Sequence, residues 1–386
     1  MNSGASTVWS SPKGAVEDRV AGLAAGLDAA VACVVGLARR AQERPAAAGP
    51  LDVDAHHALA REAAARSIVL LKNDAVPGED PVLPLRPAEP IAVIGEFART
   101  PRYQGAGSSQ IITTRLDDAL TAIVDAAEGE VRFAPGFALD GGGDAAGLVE
   151  EAVIAAAAAD VSVVFLGVPA QDESEGYDRD GIDLPRTQLM LLDAVRRANP
   201  RTVVVLSNGG VVALPFVDDV PAILEGWLLG QAGGSATADV LFGAVNPGGK
   251  LTETIPLRLE DTPAFGSFPG ELGHVRYGEG ILVGYRWYDA RTFDVAFPFG
   301  HGLSYTTFAY SGAVPAIDEG GDLRVEVRIT NTGTVRGRET LQVYTSLASL
   351  LVQRPPRELK AFAVVDLEPG ETESVGLVVP RQDLAY

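Results

Sequence analysis

Cysteine and histidine are nearly missing from this chain. Cys33 is the single cysteine, and the four histidines, His56, His57, His274 and His301, are scattered along the sequence. That leaves neither a disulfide framework nor a thiolate or imidazole cluster for a metal, and no metal or other cofactor is expected. Basic residues are also scarce: 31 Lys and Arg stand against 51 Asp and Glu, a net charge of −20. A nucleic-acid or anionic-membrane partner needs clustered cations to offset phosphate charge, so neither is expected, whereas a neutral substrate is compatible. No apolar run reaches the length of a membrane span. No basic segment followed by an apolar core and cleavage site follows Met1, so no signal peptide is read and the chain reads as cytoplasmic. The glycine clusters "SNGG" at 207–210 and "NPGGK" at 246–250 have neither P-loop nor dinucleotide spacing, and read as tight turns.

What is present is enough for two domains of ordinary size: 386 residues, 47% of them apolar. Residues 1–50 carry a helical period in "DRVAGLAAGLDAAVACVVGLARRAQ" and break at the proline-bearing linker "ERPAAAGP". Cys33 on this apolar stripe reads as a small core residue. Over 51–255 a helix beginning near Asp54 and running through "HHALAREAAARSIVLLKN" leads into short β-branched runs, among them "IAVIGEF", "VSVVFLG" and "TVVVLSN", alternating with helical patterns. This predicts an α/β fold, a mostly parallel sheet sandwiched between helices. Residues 256–312 are dense in glycine, proline and aromatics and read as an irregular connection pinned by ring packing. Trp227, Trp287, Tyr285 and Tyr288 could stack on sugar rings, but packing is the simpler reading. From 313 to 386, "LRVEVRITNTG", "ETLQVYTS", "RELKAFAVVDL" and "ESVGLVVP" alternate apolar and polar residues, the pattern of a partial antiparallel β-sandwich of four or five strands.

The densest charge lies in "QDESEGYDRDG", residues 171–181, where five carboxylates and one arginine follow the apolar run "VSVVFLGV". Ligands in parallel sheets bind beyond the carboxyl ends of strands, where this loop falls. A long irregular connection inside a compact α/β domain is usually functional or disordered. Three readings stand open. The loop is a solvated acidic surface with an internal Asp178–Arg179 contact; or Asp178, Asp180 and Asp183 hold calcium, although the regular ligand series and terminal glutamate are absent; or one carboxyl, kept protonated by like-charged neighbours and partial burial, donates a proton to a leaving oxygen.

Six stretches in this order, "AREAAARSIVLLKND", "YQGAGSSQI", "ESEGYDRDGIDLPRTQ", "GWLLGQAGGSATADVLFGAVNPGGKLTETIP", "VGYRWYD" and "FPFGHGLSYTTF", resemble the carboxyl-terminal half of glycoside hydrolase family 3, the β-glucosidase family. The resemblance covers roughly residues 52–386 and implies an α/β sandwich followed by a fibronectin type III-like domain. It implies hydrolysis of terminal β-D-glucosyl or related glycosidic bonds, with Glu175 as general acid/base and a carbohydrate or glycoside as partner. Tyr103, Gln104, Gly105 and Ser108, on a second loop, and Tyr177, Asp178 and Arg179 around Glu175, are implied to bind substrate.

Family members also carry an amino-terminal (β/α)₈ barrel whose "SDW" motif holds the catalytic aspartate. Here "STVWSSPKGAVEDRVAGLAAGLD" resembles only the end of that barrel, and the nucleophile position falls at about Pro12, within "WSSPKG". Retaining glycosidases need two carboxyl groups, and the resemblance leaves one. Weak or no activity is expected of the chain alone, its barrel supplied by a separate subunit or lost with activity, and the exposed former barrel interface predicts a homo-oligomer. The alternative is a non-catalytic carbohydrate-binding or protein-interaction module.

Overall fold

The computed structural model describes residues 30–43, 49–176, 178–347 and 352–385. The chain divides into two units, Met1–Asp52 and Val53–Tyr386. In the first, residues 30–43 form helix α1. Its apolar side chains Val31, Val34 and Leu37 are exposed, and so is Cys33. The expectation of a core cysteine therefore fails, because the helical stripe that carries it is open to solvent. Pro12 lies outside the described residues.

The second unit opens with helix α2 (Val53–Ser67), which ends earlier than its sequence pattern implies. "VLLKN" is not its continuation but strand β1 (Val69–Asn73). A short buried apolar run is ambiguous between helix and strand, and β1 resolves it by burying Val69, Leu70 and Leu71 completely against the sheet. There follow β2 (Ile91–Ile94), α3 (Ala119–Ala126), β3 (Val131–Ala134), α4 (Ala145–Ala157), β4 (Val161–Gly167), α5 (Arg186–Ala198), β5 (Thr202–Ser207), β6 (Ala222–Glu225) and α6 (Gly233–Leu241).

The six strands lie in the order β1-β6-β5-β4-β2-β3, all parallel except β1, which runs antiparallel to β6 along the edge. β2, β4 and β6 are buried along their whole length, as strands covered on both faces must be, which is why they read as nearly continuous apolar runs. α2 and α3 pack against α6, and α4 packs against α5. From β2 the chain moves outward to β3, then returns to lay β4 on the other side of β2. That reversal opens a crevice between the loops leaving β2 and β4 at their carboxyl ends.

The connection beyond the sheet is irregular for most of its length, but the pair β7 (Ile255–Pro256) and β8 (Val295–Phe297) and the short helix α7 (Tyr285–Arg291) interrupt it. Ring packing does pin it. Tyr285 stacks on Phe299 at 4.7 Å and meets Tyr344 edge-on at 6.0 Å, and Trp287 donates its indole N–H to the Asp261 carbonyl.

The last five strands, β9 (Phe308–Ile317), β10 (Leu323–Asn331), β11 (Gly337–Thr345), β12 (Glu358–Leu367) and β13 (Thr372–Val379), form two antiparallel sheets, β13-β10-β9 and β11-β12. They enclose a separate small core around Ile329, Leu341, Leu367 and Leu377. An α/β sandwich followed by a small antiparallel β domain is the architecture expected from the alternation of patterns. Among the described residues no helix is long and apolar enough to cross a membrane.

Candidate active site

Gly167 ends β4 at a point of close approach. A Cβ there would run into the Ser207 carbonyl of β5, so only glycine lets the two strands finish side by side. The Gln188 side chain of α5 then closes the strand end, accepting from Gly167 N–H and donating to its carbonyl, both at 2.9 Å. From this clamp the acidic loop departs.

Glu173 seats that loop. Its carboxylate accepts from the backbone N–H groups of Gly209 (2.7 Å) and Gly210 (2.9 Å), and from the guanidinium groups of Arg102 and Arg179, each at 3.4 Å. The "SNGG" turn is thus a tight turn whose N–H groups hold an anion of the chain itself. Arg102 is buried and works on three further carbonyls, those of Val168 (3.2 Å), Glu173 (2.9 Å) and Gln104. One guanidinium therefore binds the loop after β2 to the loop after β4. The contact expected between Asp178 and Arg179 is not the one formed: Arg179 turns to Glu173 and to the Val211 carbonyl, because Glu173 lies half-buried among donors while Asp178 stays in water.

Two residues beyond this anchor, Glu175 faces the β2 loop. The Ser108 hydroxyl donates to its carboxylate, and its own N–H reaches the Ala106 carbonyl at 3.4 Å. Gly107, between these two partners, has φ +81°, and a Cβ there would press on Glu175 at 3.1 Å. The expected partial burial is absent, since Glu175 is exposed; burial falls instead on Glu173 and on Glu225 below it.

Of the other predicted binding residues, Gln104 closes a two-way clamp on the Ile111 backbone, donating to its carbonyl and accepting from its N–H at 3.0 Å each. It also donates to the Tyr103 hydroxyl at 2.8 Å, while the Tyr103 carbonyl accepts from Gly230. Gly105 belongs to the same loop, next to Ser109. Tyr103, Gln104, Gly105 and Ser108 thus share one loop, of which Ser108 meets Glu175. Asp178 and Arg179 line a separate open cleft with Asp172, Asp180 and Asp183. Tyr177 lies outside the described residues. Among the described residues no group of three or more His, Cys, Asp or Glu side chains is placed to hold a metal.

Sequence reading missed Glu173 as an anchor, Arg102 as its partner, and Glu225. The last is wholly buried at the end of β6 and accepts from Trp227 N–H at 2.9 Å. Burial, and behind it the carboxylates of Glu253 and Glu173, pushes its pKa up to about 8 against the hydrogen bonds from Trp227 and Asn208. A glutamate closing the buried run "AILE" was the one available signal.

The profile of the glycosyl hydrolase family 3 C-terminal domain matches residues 68–305, and that of a fibronectin type III-like domain matches 339–386. The thermostable beta-glucosidase B of Acetivibrio thermocellus is 42% identical over 407 residues, covering 97% of this chain and 53% of the relative. The exo-α-(1→6)-L-arabinopyranosidase of Bifidobacterium breve is 47% identical over 345 residues, 87% of this chain and 45% of its own. Among solved structures, the Bifidobacterium adolescentis GH3 beta-glucosidase superposes with a TM-score of 0.84 at 47% identity, covering 89% of this chain and 50% of that one. The chain spans about half the length of the curated relatives it matches. It belongs to glycosyl hydrolase family 3.

Proposed function

We propose that this chain carries the proton-transfer half of a retaining glycoside hydrolase site for terminal β-glucosyl or closely related residues, with Glu175 as general acid and then general base. The observation that carries the reading is the meeting of Ser108 and Glu175 across the crevice between β2 and β4. An exposed carboxyl group, held at its Oε2 by one hydroxyl and mounted on an anchored loop, is positioned to reach a glycosidic oxygen with its other oxygen. In the first step Glu175 protonates the leaving oxygen while a carboxylate supplied from outside this chain bonds to the anomeric carbon and the glycosidic bond breaks. In the second it takes a proton from the water that attacks the glycosyl intermediate. Substrate contacts are assigned to Tyr103, Gln104, Gly105 and Ser108 and, from the resemblance, to Tyr177, Asp178 and Arg179, and the relatives' names, β-glucosidase and arabinopyranosidase, support a small pyranoside as substrate.

The attacking carboxylate must stand about 5–5.5 Å from the acid, on the opposite face of the sugar. Glu173 is engaged by four donors, and Asp172 and Asp178 ride on the same loop as Glu175. With proline at position 12, where the resemblance puts the nucleophile, we propose that the chain alone turns over glycosides weakly or not at all. A positioned acid is worth about 10²–10⁴ in rate, far short of what glycoside hydrolysis requires. A separate subunit bearing the barrel completes the site in this reading, and self-association through the former barrel interface is expected beside it. Pro12 equally favours a second reading, in which the module binds carbohydrate or protein without turnover.

Release of nitrophenol from aryl β-glucosides by the purified protein, with Glu175→Gln as control, separates the two. Turnover lost in the variant supports the hydrolase; glucose binding without turnover in either protein supports the module. Light scattering checks the partner: oligomers support self-association, and a clean monomer contradicts it.

A further inference from the structure

The anchor of the acid loop has a foundation below it. Glu173 is seated on Gly209 and Gly210, and that turn is itself held from inside the protein, where Asn208 Nδ2 donates to the Gly210 carbonyl at 2.9 Å. Asn208 is completely buried, and the same Nδ2 faces Glu225 Oε2 at 3.4 Å. Glu225 stands opposite Leu206 at the end of β6, in register with the last residues of β5 from which the turn springs. Its other oxygen is occupied by Trp227 N–H. A continuous path therefore runs from Glu225 through Asn208 and the Gly209–Gly210 turn to Glu173, two residues from Glu175.

We propose that Glu225 is a positioning residue for the acid loop, acting through Asn208 and the Gly209–Gly210 turn on Glu173. The physical argument is one amide N–H₂ group tethered at both ends, with one hydrogen to Gly210 and the other to Glu225. At 3.4 Å the Asn208–Glu225 contact is long, and the 2.9 Å bond to Gly210 is the stronger of the two. A neutral Glu225 leaves that balance in place. An ionised one is a buried charge with no cation against it, and it draws the nearest donor, because a charge-assisted bond is about twice as strong as a neutral one. Asn208 cannot serve it by rotating its amide, since that turns Oδ1 onto the Gly210 carbonyl; Oδ1 has no partner among the described residues as it stands. Closing the 3.4 Å gap to Glu225 draws Nδ2 off Gly210 and stretches that bond, which loosens the N–H pair under Glu173.

The charged groups that face Glu225 all favour its neutral form. Glu253 and Glu173 are both carboxylates. On β1, which pairs with Glu225 at Val69, Lys72 turns away to the Val217 carbonyl and Asp74. Arg102 and Arg179 are committed to Glu173. With burial placing the seated carboxyl near 8, the seat of the acid loop is intact in weakly acidic solution, loosens as pH rises toward 8 and levels off above it.

The inference concerns the loop that the proposed function uses, but its test needs no turnover. Amide hydrogen exchange of residues 168–185 and 207–212 is measured on the full chain at pH 6 and pH 9, always comparing wild type with Glu225→Gln at the same pH, so that intrinsic exchange cancels. Glutamine imitates the neutral carboxyl. The expected result is near-equal protection at pH 6 and roughly tenfold faster exchange of wild type at pH 9, the change for an unseated carboxyl that titrates about one unit below the seated one. Asn208→Ala should expose the same segments at both pH values. Equal protection of wild type and Glu225→Gln at pH 9, or an unchanged loop in Asn208→Ala, overturns the proposal. If Glu175 proves not to be the acid, the exchange results are unaffected, so the two failures are told apart.

Discussion

Ser108 donates its hydroxyl to the carboxylate of Glu175 although 67 residues separate them, because the loops after β2 and β4 leave neighbouring parallel strands at a reversal of strand order. What keeps the pair together is the charge and backbone network below it, and most of the consequences can be measured without knowing the substrate.

Glu173→Gln removes the charge that Arg102 and Arg179 share, and leaves a buried guanidinium without its ion partner. It should cost about 2–4 kcal/mol of stability, the range for breaking a mostly buried charged hydrogen-bond network. Urea denaturation gives the value directly. A loss of only a few tenths of a kcal/mol would mean that the loop is seated by its backbone alone.

Gly107→Ala places a methyl group against Glu175 at a positive φ. A non-glycine residue in this region costs about 1–2 kcal/mol, so thermal stability should fall modestly. The larger effect should be local, with the β2 loop pushed away from the acid. Crystallographic comparison of the two proteins should find the Ser108–Glu175 bond broken in the variant.

Glu225 makes stability depend on alkaline pH. Its pKa is raised to about 8 in the folded protein from an ordinary 4.5, so between these values the folded state binds the extra proton. Stability contributed by this group is therefore complete below 4.5 and falls as pH rises, by about 1.4 kcal/mol per unit, until the folded carboxyl itself titrates. Denaturation curves taken from pH 5 to pH 8 should fall more steeply for wild type than for Glu225→Gln.

Asp117 acts in the opposite direction. Burial works against its charge, but hydrogen bonds from Ser235, His57 and Arg115 outweigh it and hold its pKa below the ordinary 3.8. The stability it gives is present above that value and is lost as pH falls through the lower, folded one. Asp117→Asn should lose stability at pH 7 and narrow its gap to wild type in acid, and a gap that is constant from pH 7 to pH 2 would remove Asp117 from the account.

Much of this architecture was legible. The alternation of β-branched runs with helical patterns predicts a parallel sheet, and the loop at the end of "VSVVFLG" falls at its carboxyl edge. Glu175 and Ser108 follow from the resemblance to the family, not from their spacing, since two loops far apart in sequence meet only once strand order is known. The antiparallel β1 was hidden because "IVLLK" is too short and too apolar to show a period. Nor could the sequence distinguish among five carboxylates. Glu173 differs from Asp178 only in the donors that fold around it, two glycine N–H groups 36 and 37 residues away and one arginine 71 residues away. Cys33 shows the reverse error, an apolar stripe without burial.

The central claim, that Glu175 gives the proton, is tested most directly by the dependence of rate on the leaving group. Residues 53–386 are grafted in place of the matching half of the Bifidobacterium adolescentis relative, and the hybrid and its Glu175→Gln variant are given a β-glucoside with a dinitrophenolate leaving group and one with an alkoxide. A dinitrophenolate leaves without protonation, so bond cleavage should survive the substitution, while the alkyl glucoside should slow by about 10²–10⁴. An equal loss on both substrates, or no loss on the alkyl glucoside, would contradict the assignment of Glu175 as the acid.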